Sequence, residues 1–139
     1  MVWSVTDGDG AAFLRGLPAG SVEAVITDPP YGIAKGAAFF HGGRVSDDTA
    51  LPFNATDDLL GWLWPAAQAV VPGGHVAFFI DQNRAQAAYE ALRACGLVPW
   101  HKFYIVKANP APTPRPTFSS AVEECIVAEK CNGKRRWYG

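Results

Sequence analysis

The sequence predicts an α/β protein with an open, largely parallel sheet, helices on its faces and an antiparallel hairpin at one edge. Compact apolar runs that are typical of buried strands alternate with segments whose apolar residues have helical spacing. This alternation favours a parallel sheet, because parallel strands need crossover connections. No helix is predicted between the last two strands, which favours an antiparallel pair at the edge.

The first half of the chain contains two predicted strands, one helix and a long loop. The strands are residues 2–6 and 22–27. The helix, residues 11–17, lies between them and ends at Pro18. Residues 32–53 are rich in glycine and have no clean period, so we expect a long functional loop there.

The second half contains two predicted helices and three predicted strands. Pro72-Gly73-Gly74 ends the first helix, and Gly96 is a suitable cap after the second. Residues 108–117 contain four prolines and are predicted to be irregular. In chain order, the elements are a helix from residues 54–57 to 71, a strand at 75–80, a helix from 81–83 to 95, and strands at 98–106 and 122–128.

Composition favours a single globular domain and argues against a disulfide-rich, zinc-binding or membrane-spanning protein. The chain has 139 residues, of which 49% are hydrophobic and 18% are charged, as in a single globular domain. The net charge of −1 gives no overall basic field. Three cysteines without CxxC spacing favour neither a disulfide framework nor a zinc site, and fit a reducing compartment. The N-terminus is too polar for a signal peptide and no apolar run is long enough to span a bilayer, so we expect a cytoplasmic protein.

Polar residues follow three of the predicted strands. Asp28 and Asp81 each come directly after an apolar run, and residues 107–109 follow the strand at 98–106. Ligands of open α/β sheets bind outside the carboxyl ends of the strands. We therefore expect these three turns to share one rim, which is called the carboxyl rim below.

The stretch Asp28-Pro29-Pro30-Tyr31-Gly32 is the most distinctive at this rim. The prolines make a stiff exit from the strand, because they fix φ and donate no N–H. The Asp28 carboxylate and the Pro29 carbonyl offer two acceptors, Tyr31 offers a flat ring, and Gly32 permits close approach. This set fits an exocyclic amino group on a planar base held outside its stack. The alternative is a rigid β-turn with aspartate at its first position.

At this point the sequence resembles a known family. VEAVITDPPYG is similar to the catalytic motif of the S-adenosylmethionine-dependent amino-methyltransferases. Within that group it resembles the DNA adenine-N6 enzymes, whose motif opens with Asp, whereas cytosine-N4 enzymes usually open with Ser. Residues 6–32, 70–81 and 102–130 resemble, in order, segments of the subclass in which the catalytic motif precedes the cofactor motif. The resemblance implies a partial Rossmann-like methyltransferase sheet, with residues 1–139 as one partial catalytic domain.

The resemblance also implies partners and residue roles. The methyl donor would be S-adenosyl-L-methionine, the substrate would be adenine in DNA, and no metal is implied because the sulfonium carries the electrophilic methyl group. Asp28 and the Pro29 carbonyl would accept from the adenine amino group, and Tyr31 would stack on the flipped base. The implied catalytic residues are Asp28, Pro29, Pro30 and Tyr31; the cofactor residues are Asp9 and Asp28; and the base pocket contains Tyr31, Gly32, Lys107 and Asn109.

Three of these residues have structural alternatives. Asp9 is also suited to capping the helix that follows it. Lys107 can be a solvated charge at the end of a strand, and Asn109 before Pro110 is common in turns. The sequence leaves both interpretations open for each of them.

One part of the family pattern is missing. The glycine-rich cofactor motif, Phe-x-Gly-x-Gly, would follow residue 130, where the chain instead reads CNGKRRWYG. We therefore expect about half of the usual sheet, with residues 22–27 as an open edge. A second chain, a further C-terminal segment or self-association across that edge would complete the enzyme, in a restriction–modification or phage context. The alternatives are a catalytically inactive domain that binds nucleic acid or protein, and a cytosine-N4 or RNA amino-methyltransferase.

Overall fold

A computed structural model describes residues 3–29, 40–41, 44–45, 59–81, 84–108 and 122–131 of the chain. Three helices and six strands lie in these ranges. The helices are α1 (Gly10–Gly16), α2 (Leu59–Ala69) and α3 (Ala85–Ala94). The strands are β1 (Val22–Thr27), β2 (Phe40–His41), β3 (Arg44–Val45), β4 (Val70–Ile80), β5 (Leu97–Val106) and β6 (Val122–Lys130).

The main sheet has four strands in the order β1-β4-β6-β5. β1 pairs parallel with β4, whereas β6 runs antiparallel to both of its neighbours, β4 and β5. The predicted α/β sheet with an antiparallel pair at one edge is therefore confirmed. Three of the four strands run in one direction, but only one of the three pairs is parallel, because β6 lies between β4 and β5. The short strands β2 and β3 form a separate antiparallel pair.

The predicted strand at residues 2–6 is wrong over residues 3–6, which have no regular structure. Trp3 and Val5 are both strongly exposed. A run of β-formers makes a strand only when a neighbouring strand completes its hydrogen bonds. None of the described strands pairs with these residues.

The junction of α2 and β4 also differs from the prediction. β4 begins at Val70 and continues through the glycines that were expected to separate helix from strand. The pairing with β1 shifts inside this stretch: Val22 is opposite Val70, whereas Ala24 is opposite His75. β1 advances by two residues there and β4 by five, so β4 bulges. The predicted start of α2 lies outside the described residues.

One hydrophobic core joins the helices to one face of the sheet. Alternate residues of β4, Val76, Phe78 and Ile80, lie in it with Ile126 and Ala128 of β6. Helices α2 and α3 supply most of the other buried side chains, and Leu14 of α1 packs against the same cluster. The three helices therefore lie on one side of the sheet. Among the described residues, we find no helix with the length and hydropathy of a membrane span.

Candidate functional site

The predicted carboxyl rim is present in the fold. β1, β4 and β5 run in the same direction, so their carboxyl ends, followed by Asp28, Asp81 and Lys107, lie at one edge of the sheet. Thr27 is paired with Phe78. Asp28 is therefore level with the end of β4, on the strand next to the one that Asp81 follows.

The described part of the predicted catalytic motif consists of Asp28 and Pro29. Asp28 is exposed, whereas Pro29 is buried. A buried proline at this point fixes the direction in which the chain leaves β1, since its φ is locked. The remaining predicted residues of the motif, Pro30, Tyr31 and Gly32, lie outside the described residues, as does Asn109. Their roles stay predictions.

Asp9 occupies the N-cap position of α1. Its Oδ1 accepts a hydrogen bond from the backbone N–H of Ala12 at 2.6 Å, and its carbonyl accepts from Phe13 N at 3.0 Å. This is the capping role that the sequence offered as an alternative. The second carboxylate oxygen and the exposure of Asp9 are compatible with a ligand, so its cofactor role also stays a prediction.

Lys107 is held at the rim by an ion pair with Glu123 of β6. Its strand is three positions from β1, and Lys107 lies four residues beyond Phe103, which the register places level with Asp28. Ordinary strand spacing and rise therefore place the Cα atoms of Lys107 and Asp28 about 19 Å apart. The ion pair turns the lysine toward the middle of the sheet, because β6 lies between β5 and β4. Lys107 and Asp28 therefore lie at opposite ends of the rim, and a ligand that touches both must span it.

The neighbouring residue, Glu124, holds a different lysine on the other face of the sheet. Lys102 Nζ lies 2.6 Å from Glu124 Oε1 and 5.3 Å from the centroid of the Tyr89 ring on α3. The hydrogen bond to Glu124 raises the pKa of Lys102. This second ion pair is part of the contact between helix and sheet. The sequence pattern predicts no role for Glu123 or Glu124. It does predict that their side chains point to opposite faces of the sheet, because they are consecutive residues of a strand.

The face of the sheet opposite the helices is mostly apolar. The register brings Ile26, Ala77, Val127 and His101 into one row across the four strands. The next row toward the carboxyl rim contains Phe79, Cys125 and Phe103. None of the described helices packs on this side. This surface is called the uncovered face below; its members are Ala24, Ile26, His75, Ala77, Phe79, Val98, Trp100, His101, Phe103, Ile105, Cys125 and Val127, together with the two glutamates Glu123 and Glu129.

A shallow groove of about 530 Å³ lies elsewhere, in the helix layer. It contains none of the predicted site residues; the residues that line it are Arg15, Leu60, Gly61, Trp64, Pro65 and Ala94. Over the described ranges, no three histidine, cysteine or acidic side chains are grouped so that they could hold a metal ion.

A scan against protein-family models gives no match, and a comparison with curated proteins gives none. Solved structures do match. The M1.HpyAVI complex with SAM has a TM-score of 0.60 at 22% identity, over 92% of this chain and 54% of that one. TTHA0409 of Thermus thermophilus, described as a DNA modification methylase and solved with S-adenosyl-L-methionine, has a TM-score of 0.62 at 20% identity, over 94% and 56%. The cytosine-N4-specific PvuII DNA methyltransferase has a TM-score of 0.64 at 15% identity, over 88% and 47%.

The chain spans about half the length of the solved structures that it matches. At identities of 15–22% the likeness concerns the fold. The protein therefore has a partial Rossmann-like fold of the kind found in these solved structures.

Proposed function

We propose that this chain is the catalytic-motif half of an S-adenosylmethionine-dependent DNA methyltransferase that modifies the N6 amino group of adenine. The observation that carries the proposal is the position of Asp28-Pro29 directly after β1, at the same rim as Asp81 and Lys107. A rim at the carboxyl ends of strands is where this class of sheet binds its ligands. The fold shared with a DNA modification methylase and a cytosine-N4-specific DNA methyltransferase supports the same class of reaction.

The rim residues fit a cationic methyl donor and an amino substrate. S-adenosyl-L-methionine supplies, when bound, an electrophilic methyl group on a positively charged sulfur. Asp28 provides an exposed carboxylate and Pro29 a carbonyl, both of which only accept hydrogen bonds at neutral pH. Acceptors of this kind suit the sulfonium and ammonium groups of the donor and the two N–H groups of an adenine.

In the proposed mechanism, Asp28 and the Pro29 carbonyl hold the adenine N6 by its two hydrogens. This raises the electron density on nitrogen and aims it at the methyl carbon, which is catalysis by orientation and charge matching. The donor, when bound, would supply its methyl group to that nitrogen and would keep the electron pair of the C–S bond on sulfur. The N6 proton then leaves to Asp28 or solvent. Tyr31 would stack on the extruded base and Lys107 would bound the far side of the rim.

Cytosine-N4 methylation is the second candidate. One of the matching structures is a cytosine-N4-specific enzyme. Both reactions methylate an exocyclic amine conjugated to a ring, and both need the same pair of acceptors. The aspartate that opens the motif favours adenine, because the cytosine-N4 enzymes that the motif resembles usually open with serine.

The first experiment is titration calorimetry with S-adenosyl-L-methionine, together with the mass of the chain in solution. Micromolar binding that is lost in Asp28→Ala supports the proposal. The protein that binds the donor is then incubated with methyl-labelled donor and mixed-sequence DNA, and the product nucleosides are identified by mass spectrometry. N6-methyladenine confirms the adenine reaction and N4-methylcytosine replaces it with the second candidate. Donor binding without either product, or transfer that survives Asp28→Ala, contradicts the proposed role of Asp28.

A further inference from the structure

The outward side of α2 is apolar, whereas the outward side of a surface helix is ordinarily polar. Leu60 is 48% exposed and Trp64 is 53% exposed. These two residues are four positions apart, so they lie on the same side of the helix, one turn from each other. α2 contains no charged residue, and a helix that is apolar all round is normally covered on every side. We therefore expect another surface to contact the exposed side of α2.

The shallow groove in the helix layer lies beside these two side chains and is called the helix groove below. Arg15 of α1 and Ala94 of α3 line it together with residues of α2. The small residues Gly61 and Ala94 leave room for a side chain to enter between the larger ones. The groove measures about 530 Å³ but is too open to enclose a small molecule, most of whose surface a ligand pocket normally buries. It suits side chains that another polypeptide presents.

The helix groove carries a positive charge. Among the described residues that line it, Arg15 alone is charged. Its Nη2 donates to the carbonyl of Gly61 at 2.9 Å, and this one bond does not exhaust the five N–H donors with which a guanidinium can bind a carboxylate. Neither α1 nor α2 contains an acidic residue that could supply the carboxylate. The groove is therefore complementary in charge to an acidic partner.

The position of the helix groove favours a helical partner. The described residues that line it all belong to helices, so it offers no strand edge to an extended peptide. Recognition there depends on side chains, and an amphipathic helix presents large apolar side chains three and four residues apart. Leu60 and Trp64 have the same spacing on α2, so the ridges of two such helices can interdigitate.

We propose that the helix groove, with the exposed side of α2 beside it, is a docking site for an acidic amphipathic helix of another protein. Large apolar side chains of that helix would pack between Leu60 and Trp64, and an aspartate or glutamate would bind the Arg15 guanidinium. The groove contains none of the predicted site residues, so the proposal does not rest on the proposed function. A second copy of this chain is the competing occupant.

The test uses the full chain and a displayed library of amphipathic helical peptides whose apolar and charged positions are randomised. We expect the selected peptides to carry large apolar residues three or four positions apart and at least one acidic residue. The dissociation constants of the purified peptides should rise by about 10-fold or more in Trp64→Ala, as for a side chain at the centre of an interface. Phe103→Ala is the matched control and should leave them unchanged, because Phe103 is 52% exposed but lies on the uncovered face.

A second comparison tests the charge of the groove. Arg15→Gln removes the charge and keeps side-chain N–H groups that can donate to the Gly61 carbonyl. It should weaken binding by about 10-fold or more, as for loss of a hydrogen bond between charged groups. Replacing the acidic residue of the peptide by its amide should have the same effect. The two changes together should cost little more than either alone, because both remove the same contact.

Any of four results would overturn the proposal. Binding that depends on Phe103 but not on Trp64 would place the peptides on the uncovered face. Affinity that responds to neither charge change would remove the acidic partner. A homodimer that Trp64→Ala dissociates would make a second copy the occupant, and a folded chain that selects no peptide would leave the groove without one. Far-UV circular dichroism checks that each variant is folded, and Leu60→Ala takes the place of Trp64→Ala if the latter is not.

Discussion

Two adjacent glutamates on β6 do different work because a strand alternates its side chains. Glu123 binds Lys107 at the carboxyl rim on the uncovered face, and Glu124 binds Lys102 under α3. The first pair is about 40% exposed on both sides, so solvent screens it and its effect on stability is small. In the second pair the Glu124 side chain is only 11% exposed, so removing this ion pair should lower the free energy of unfolding.

We expect Glu124→Gln to destabilise the fold and to change how stability depends on pH. The pKa of Lys102 is raised in the folded state, so its ion pair contributes fully below the unfolded pKa of about 10.4. That contribution is lost as the pH rises through the folded pKa. Urea unfolding should therefore give a lower midpoint for Glu124→Gln at pH 8, with the difference from wild type shrinking above about pH 10.4.

Glu123→Gln is the matched control for this prediction. Its urea midpoint should stay close to that of the wild type at pH 8, because both partners of its ion pair are well exposed. Equal destabilisation by the two variants would contradict the division of roles between the rim and the helix contact.

Gly74 is required by close approach of two backbones. A Cβ at this position would lie 2.5 Å from the carbonyl oxygen of Glu23 and 2.7 Å from Cγ1 of Val70. We expect Gly74→Ala to cost about 1–3 kcal/mol, because β1 and β4 must separate to admit the methyl group. Gly10→Ala is the control and should be neutral or slightly stabilising, since a Cβ there meets no atom within 4 Å. Thermal or urea unfolding measures both, and a neutral Gly74→Ala would contradict the close packing of the β4 bulge.

At the scale of the elements, α2 contains a proline whose cost is partly offset by α1. Pro65 lies inside the helix and has no N–H to give to the carbonyl of Gly61, four residues before it. Arg15 of α1 donates from Nη2 to that carbonyl at 2.9 Å. The guanidinium therefore replaces the hydrogen bond that the proline removes and joins the two helices.

A double-mutant cycle tests this replacement. We expect Arg15→Ala to cost about 0.5–1.5 kcal/mol in the wild-type background, as for loss of one hydrogen bond. In the Pro65→Ala background the helix can satisfy the Gly61 carbonyl itself, so the same substitution should cost less. The free energies of unfolding from urea titrations give the coupling. Independent effects of the two substitutions would show that Arg15 does not compensate for the proline.

The elements themselves were largely predictable because their signals are local. The strand at 22–27 is bounded by turn residues and is found unchanged. Gly96, with φ of 73°, follows α3 as its cap, as the sequence predicts. Residues 3–6 were mispredicted and the strand at 70–74 was missed, because a strand depends on its partner and the partner is remote in sequence.

At the scale of the whole molecule, the solvent exposure of the three thiols shows which parts of the fold are closely packed. Cys95 and Cys125 are buried, whereas Cys131 is exposed after β6. Burial raises the pKa of both Cys95 and Cys125, so the reactive thiolate is further suppressed. Cys125 lies on the uncovered face, yet the side chains around it leave only 8% of it exposed.

We therefore expect alkylation of the folded chain to modify Cys131 first. Cys95 and Cys125 should react only as the protein unfolds, because both are buried. Peptide mapping after timed exposure to iodoacetamide gives the three rates. Alkylation of Cys125 as fast as that of Cys131 would contradict this expectation, because it would mean that the sheet opens often enough to expose Cys125 to the reagent.

The sequence was enough to predict where in the sheet the candidate site lies, but not which side chains contact one another there. The order of strands and helices was enough to bring Asp28, Asp81 and Lys107 to one rim. It was not enough to reveal Glu123, because that needs β6 to lie between β4 and β5. Strand order is decided by packing across the whole sheet, which no local pattern reports.

The edge of β1 that faces away from β4 pairs with no described strand, and such an edge carries a hazard during synthesis and storage. An unpaired edge with apolar neighbours can template sheets between molecules, which is how many domains begin to aggregate. Here the template is six residues long, contains Glu23 and stops before Pro29, which has no N–H to extend a ladder. Pro29 thus has two effects: it stiffens the exit toward the candidate site, and it prevents a wrongly paired strand from extending past it.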